Sequence, residues 1–143
     1  AFNVKKLLNY KLATIKSLFF NYKVFNLKVI DIYDGKSISF HIGINKIEGH
    51  GIMTFPKAKN EDGLIDIVII KDVPYLFTPF KLVKLLKGEH INDKYVVYKQ
   101  VNSLTFEINK QVYGHYDGEV FKIESGCYNV VTINRALKII KWD

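Results

Sequence analysis

Apolar residues fall on two different periods along this chain, and the change of period divides it. Residues 4–20, VKKLLNYKLATIKSLFF, set Val4, Leu7, Leu8, Leu12, Ile15, Leu18 and Phe19 at helical spacing with lysines between them. That pattern predicts an amphipathic helix and makes residues 1–21 an N-terminal arm. No capping residue precedes the helix, so the expectation is a chain cut from something longer. From Tyr22 the period becomes two. The stretch VFNLKVIDIYDGKSISFHIGI alternates around Asp34-Gly35, a dipeptide favoured in tight hairpin turns, and predicts strands over 24–33 and 36–44. Residues 45–63, NKIEGHGIMTFPKAKNEDG, form a long connection with three glycines and one proline. Loops of that length inside a compact domain are uncommon and often functional. Residues 64–71 read as a buried strand. Residues 74–90, PYLFTPFKLVKLLKGEH, read as a helix held by Leu82, Leu85 and Leu86 and ending at Gly88. Short alternating runs follow at 94–99, 103–108, 111–116, 119–124, 127–133 and 136–141. The sum is a mainly β fold: a two-layer antiparallel β-sandwich over 22–143, with the N-terminal helix and one further helix near 75–88.

Composition narrows the function classes. At 143 residues, 48% hydrophobic and 14% aromatic, the chain suits one core-bearing domain with a short arm. The single cysteine, Cys127, excludes an internal disulfide framework, and no secretory cleavage signal is present. No run approaches the roughly 18 apolar residues of a membrane span. The expected compartment is the cytoplasm. The net charge of +7 is carried by twenty lysines against one arginine, Arg135. Lysine is a hydrated point charge and a poor bidentate reader of bases. With no nucleic-acid-binding motif beside it, that balance argues against a nucleic-acid partner. An anionic membrane surface would attract such a chain, giving a peripheral association. A lysine-rich but otherwise ordinary surface accounts for the charge as well.

Most catalytic signatures are missing. There is no G-x-x-x-x-G-K-[ST] and no G-x-G-x-x-G between strand and helix. His41, His50, His90 and His115 have no metal-ligand spacing with each other or with Cys127. Aligning Asn60-x-Asp62-Gly63 to a calcium loop puts Ala58 first and Ile69 last, where carboxylates are needed, so that reading fails. Cys127 reads as a small hydrophobe within a strand. Two acidic clusters remain: Glu61-Asp62 before the 64–71 strand, and His115-Tyr116-Asp117-Gly118-Glu119 between two predicted strands. In extended backbone Asp117 and Glu119 lie on one face. Ordinary turns explain both clusters equally well, since Asp and Gly are favoured there.

The order of the motifs carries more than any one of them. Gly49-His50-Gly51, then PKAKNEDGLIDI, then LLKGEH, then Tyr116-Asp117-Gly118-Glu119 and the closing GCYNVVTINRALKII resemble the C-terminal domain of the bacterial diacylglycerol kinase-like lipid kinases. That family is related to sphingosine kinases and, more distantly, to NAD kinases. The resemblance covers about residues 22–143. The family's glycine triplet reads Gly-His-Gly here, and its N-terminal nucleotide-binding half, with a GGDGT signature, is absent from the sequence. The resemblance implies an ATP-dependent, Mg²⁺-dependent transfer to a lipid hydroxyl, with ATP held mainly by the missing half and this fragment inactive alone. It implies that Asp62 supplies a carboxylate to Mg²⁺, completed by the backbone carbonyls of Lys59 and Leu64. It implies that Glu119 is the general base, with Asp117 beside it. Three alternatives stay open: diacylglycerol or a related lipid as acceptor, a sphingoid base or other lipid alcohol, and a non-catalytic basic β module that binds membrane or protein. Self-association as a homodimer is left open too.

Overall fold

The computed structural model describes residues 23–48, 51–74, 77, 81, 84–85, 87–116 and 119–133. The predicted N-terminal helix, the predicted strand at 136–141 and Asp117 lie outside the described residues. Eight strands are described: β1 Phe25–Val29, β2 Tyr33–Gly43, β3 Ile65–Lys71, β4 Val96–Val101, β5 Ser103–Ile108, β6 Val112–Tyr116, β7 Glu119–Ile123 and β8 Gly126–Val131. Lys81, Lys84 and Leu85 are helical, within the helix predicted near 75–88. A short 3-10 helix, Glu89–Asn92, follows.

All pairings are antiparallel. Six strands form one sheet in the order β4-β3-β2-β1-β5-β8, and β6 and β7 pair as a separate hairpin. Strands β4 and β5 have three others between them, yet only Asn102 joins them in sequence. Two residue steps reach at most about 7 Å. The sheet therefore curls until β4 and β5 meet at a corner. That curl lets β3 face β1 and β5 across one core of Leu27, Val29, Ile65, Ile67, Ile69, Leu104, Phe106 and Ile108. The arrangement is sandwich-like, as the alternating runs predict, but its two layers are halves of one sheet. Phe106 fixes the centre, meeting Phe40 edge-on at 5.1 Å and stacking on Tyr128 at 5.3 Å.

The β1–β2 turn is not at Asp34-Gly35. It is formed by Ile30, Asp31 and Ile32, with Val29 paired to Tyr33 and Leu27 to Gly35. Parity gives the reason. Leu27, Val29 and Asp31 would share a face in one continuous strand, so a turn at Asp34-Gly35 would carry Asp31 into the core. Ending β1 at Val29 leaves Asp31 exposed, in a left-handed conformation (φ 61) that aspartate tolerates better than most residues.

Strand β3 is buried on both faces, which explains its nearly unbroken apolar run. Its odd positions enter the main core. Val68 packs instead with Phe55 and Ala58 of the long connection, which covers the outer face. Gly43 makes that cover fit: a Cβ there would sit 2.2 Å from the Phe55 ring.

Candidate functional site

The turn that opens β3 is built by Asp62 itself. Its amide donates to the Lys59 carbonyl at 3.4 Å, and its Oδ1 accepts the Leu64 amide at 2.9 Å. Gly63 takes the positive φ (70°) that this reversal needs, and its carbonyl accepts the Thr132 hydroxyl at 2.9 Å. Asp62 and Lys59 are exposed and Leu64 is half-buried. The three positions predicted to share a cation thus lie in one turn, whose hydrogen bonds join the Asp62 amide to the Lys59 carbonyl and the Asp62 carboxylate to the Leu64 amide. No three His, Cys, Asp or Glu side chains converge among the described residues. A cation here would rely on hard oxygens and water, which fits Mg²⁺, an ion that keeps several of its waters.

Directly behind this turn is a polar cluster that the sequence reading missed. Asp66, fully buried in β3, accepts a hydrogen bond from the Tyr98 hydroxyl and another from Gln100 Nε2 at 3.3 Å. Tyr98 and Gln100 reach it from β4 because Asp66 is paired with Gln100 and lies two residues, hence on the same face, from the Val68–Tyr98 pair. The same two side chains hold the incoming loop. The Lys57 amide donates to the Tyr98 oxygen at 3.2 Å, and Gln100 donates to the Lys57 carbonyl at 3.3 Å. Burial, and next the hydrogen bond to Asp66, push the Tyr98 phenol above its ordinary value of 10.0, so it remains a donor. The one available signal was a carboxylate inside an otherwise apolar strand.

On the neighbouring strand, Ser39 and His41 alternate onto one face of β2, with Ser39 Oγ 2.6 Å from His41 Nε2. His41 Nδ1 lies 3.5 Å from Glu48 Oε2, which also accepts the Thr54 hydroxyl at 2.8 Å. Burial alone would raise the Glu48 carboxyl. The hydrogen bond and charge of His41, then the Thr54 hydroxyl, outweigh burial and hold it below the usual carboxylate value. Glu48 also forms an antiparallel bridge with Ile52. The seam continues to His90, whose Nε2 lies 3.0 Å from the Thr54 carbonyl. Burial lowers the His90 pKa and keeps the ring neutral.

His90 also lines an apolar pocket. Ile38, Ile70, Val73, Leu85 and Val96 form its walls around a cavity of about 40 Å³ that opens to solvent. A bulge in β2 between Ser37 and Ser39 shifts the register at Ile38, one of the wall residues. Lys81, Lys84, Asp93 and Tyr95 complete the lining.

Glu119 opens β7 and is exposed, paired across the hairpin with Tyr116. That register leaves only Asp117 and Gly118 between the strands, as the sequence pattern requires. Among the charges that lower the Glu48 carboxyl, the least is that of His115, which pairs with Val120 one step from Glu119. The Asp66 cluster thus holds Lys57 of the loop that leads into the Asp62 turn, and the Glu48–Thr54–His90 seam runs up to the pocket.

Comparison with known proteins agrees with this fold. Residues 2–140 match the model of the YegS C-terminal NAD kinase beta sandwich-like domain. The diacylglycerol kinase of Bacillus subtilis (strain 168) is 24% identical over 88 residues, covering 62% of this chain and 29% of that protein. A solved structure of a diacylglycerol kinase from Bacillus anthracis str. Sterne superposes with a TM-score of 0.64 at 20% identity, covering 91% of this chain and 45% of that one. A second structure from that organism gives a TM-score of 0.65, over 87% of this chain and 42% of the other. The chain spans less than half the length of each of these relatives. With the family model matched almost end to end, and the Asp-Gly-Leu and Asp-Gly-Glu motifs in their expected order, the chain belongs to the YegS C-terminal NAD kinase beta sandwich-like family, the C-terminal domain of diacylglycerol kinase-like proteins.

Proposed function

We propose that this chain is the acceptor-lipid half of an ATP- and Mg²⁺-dependent kinase that phosphorylates the hydroxyl of diacylglycerol or a related lipid at the cytoplasmic membrane surface. The match of residues 2–140 to this domain family carries the reading. The apolar pocket beside His90 supports it, since an acyl chain needs apolar walls and few polar groups. In this reading the acyl portion enters the pocket and the hydroxyl is presented toward the β6–β7 hairpin. Glu119 removes the hydroxyl proton as that oxygen bonds to the γ-phosphorus of ATP. The bond from the γ-phosphorus to the bridging oxygen breaks, ADP leaves, and the proton remains on Glu119. Asp117 orients its neighbour. A primary alcohol is a poor nucleophile, so a placed carboxylate and an in-line phosphate are what the transfer requires. Asp62, with the carbonyls of Lys59 and Leu64, would hold a Mg²⁺ whose charge fixes the turn at the mouth of β3. The nucleotide is bound by the other half of the full-length protein.

The test is an assay of the full-length protein with ATP and diacylglycerol in mixed micelles, with and without Mg²⁺, alongside a panel of sphingoid bases and other lipid alcohols. Mg²⁺-dependent formation of a phosphorylated lipid is expected. Transfer to none of the lipids would overturn the reading.

A further inference from the structure

Asp66 is a fully buried carboxylate in a strand that is otherwise apolar until its last residue. A buried charge lowers stability unless hydrogen bonds meet it. Both of its oxygens are met from β4, Oδ1 by the Tyr98 hydroxyl and Oδ2 by Gln100 Nε2. Those two donors do a second thing. The Tyr98 oxygen accepts the Lys57 amide at 3.2 Å, and Gln100 donates to the Lys57 carbonyl at 3.3 Å. Lys57 is exposed, yet both of its backbone groups are held by side chains that are themselves fixed on Asp66. The Tyr98 ring packs on the Phe55–Ala58–Val68 cluster, and the Lys57 ammonium lies 5.7 Å from its centroid. Lys57 and Asp66 are therefore tied to the same two residues of β4, and the segment between them is closed into a loop. That segment contains Lys59, Asp62 and Leu64.

We propose that Asp66, Tyr98 and Gln100 form a brace that preorganises the 57–66 loop for a divalent cation, with Tyr98 as its positioning residue. The brace rests on the reading of Lys59, Asp62 and Leu64 as the cation's ligands, and adds what holds their oxygens in place. One carboxylate and two carbonyls offer little charge with which to offset the entropy of ordering a loop. A loop fixed beforehand removes that cost from binding. Asp66 acts through its neighbours, since both of its oxygens are engaged by β4. On the far side of the turn the Thr132 hydroxyl holds the Gly63 carbonyl at 2.9 Å, so the reversal is pinned from a second strand end.

Titration of MgCl₂ into the isotope-labelled 143-residue chain, followed by NMR at the Leu64 amide, tests this. The half-saturating concentration reports the site and not the melting temperature. Wild type should saturate, and Asp62→Ala should not. Tyr98→Phe should raise the half-saturating concentration about ten-fold, the low end of what losing an outer hydrogen-bond partner costs a metal site. Gln100→Ala, at an exposed position, should raise it in the same direction. Asp66→Asn still offers an oxygen to the Tyr98 hydroxyl, so it should lie closer to wild type than Tyr98→Phe does. A wild-type value in Tyr98→Phe would overturn the brace; if that variant does not fold, a wild-type value in Gln100→Ala does so. A greater loss in Asp66→Asn than in Tyr98→Phe would also overturn it, because the charge of Asp66 would then draw the cation directly. No saturation in wild type would remove cation and brace together. Tyr98-dependent Mg²⁺ binding by a protein whose full-length form phosphorylates no lipid would keep the brace and reject the kinase reading. Lipid phosphorylation with Mg²⁺ binding indifferent to Tyr98 would do the reverse.

Discussion

Asp93 is buried beneath the ammonium groups of Lys81 and Lys84, and that placement makes it sensitive to acid. Burial by itself would raise its carboxyl. The hydrogen bonds from Lys81, Tyr95 and Lys84 outweigh burial and bring it from 3.8 down to about 2. A carboxyl whose folded value lies below its unfolded one adds stability above the unfolded value and loses it as pH falls through the folded value. The window here runs from about pH 4 down to about pH 2. His90 and Glu48, whose values are also lowered, lose their contributions from nearer 6.5 and 4.5 downward. The difference between wild type and Asp93→Asn isolates Asp93. Its melting-temperature gap should be steady above pH 4 and should shrink towards pH 2. A gap unchanged down to pH 2 would mean the lysines do not hold the carboxylate in solution. Nothing in the sequence marked Asp93, since its lysines lie 12 and 9 residues away across a helix. Asp66 was equally hidden, because Tyr98 and Gln100 become its neighbours only once β3 and β4 are in register.

At the scale of elements, alternation was legible wherever one face is buried. Strand β5 falls on the predicted 103–108, because Leu104, Phe106 and Ile108 cannot be moved by one residue without turning the core face outward. The β1–β2 turn was misplaced because Asp-Gly is a strong local signal, while the exclusion of Asp31 from the core is a tertiary one. The Asp62 turn was read correctly as a turn. Its internal hydrogen bonds explain how one carboxylate can both build the reversal and offer an exposed oxygen. Asp62→Ala removes the only proposed side-chain ligand and the bond to the Leu64 amide. Titration with Mg²⁺, read as melting temperature, should raise the wild type and leave the variant nearly unmoved, because carbonyls and water balance a divalent charge poorly. Equal Mg²⁺-dependent shifts in both proteins would remove the cation from this turn. Metal-free, the variant should already melt lower, since an unmet turn amide costs about 1 kcal/mol.

The described residues form a curled sheet with a separately paired hairpin, and the curl was not legible. Periodicity gives strands and their faces, but the meeting of β4 and β5 follows from a ladder order that no local pattern encodes. What the curl achieves is a division of labour. One end of β3 carries the Asp62 turn. The β2–β3–β4 face, bulged at Ile38, forms the pocket with the helical residues, and the Glu48–Thr54–His90 seam runs up to it. Among the described residues no helix is long and apolar enough to cross a membrane. The central claim is that this domain presents a lipid hydroxyl to Glu119. Glu119→Gln in the full-length protein keeps size and hydrogen-bonding reach but cannot accept the proton. With diacylglycerol as acceptor, kcat should fall about 10²–10⁴-fold, the usual cost of losing a general base. KM for ATP should stay unchanged under the proposal that the other half of the full-length protein holds the nucleotide. A Glu119→Gln enzyme with near-normal kcat on lipid would contradict the account.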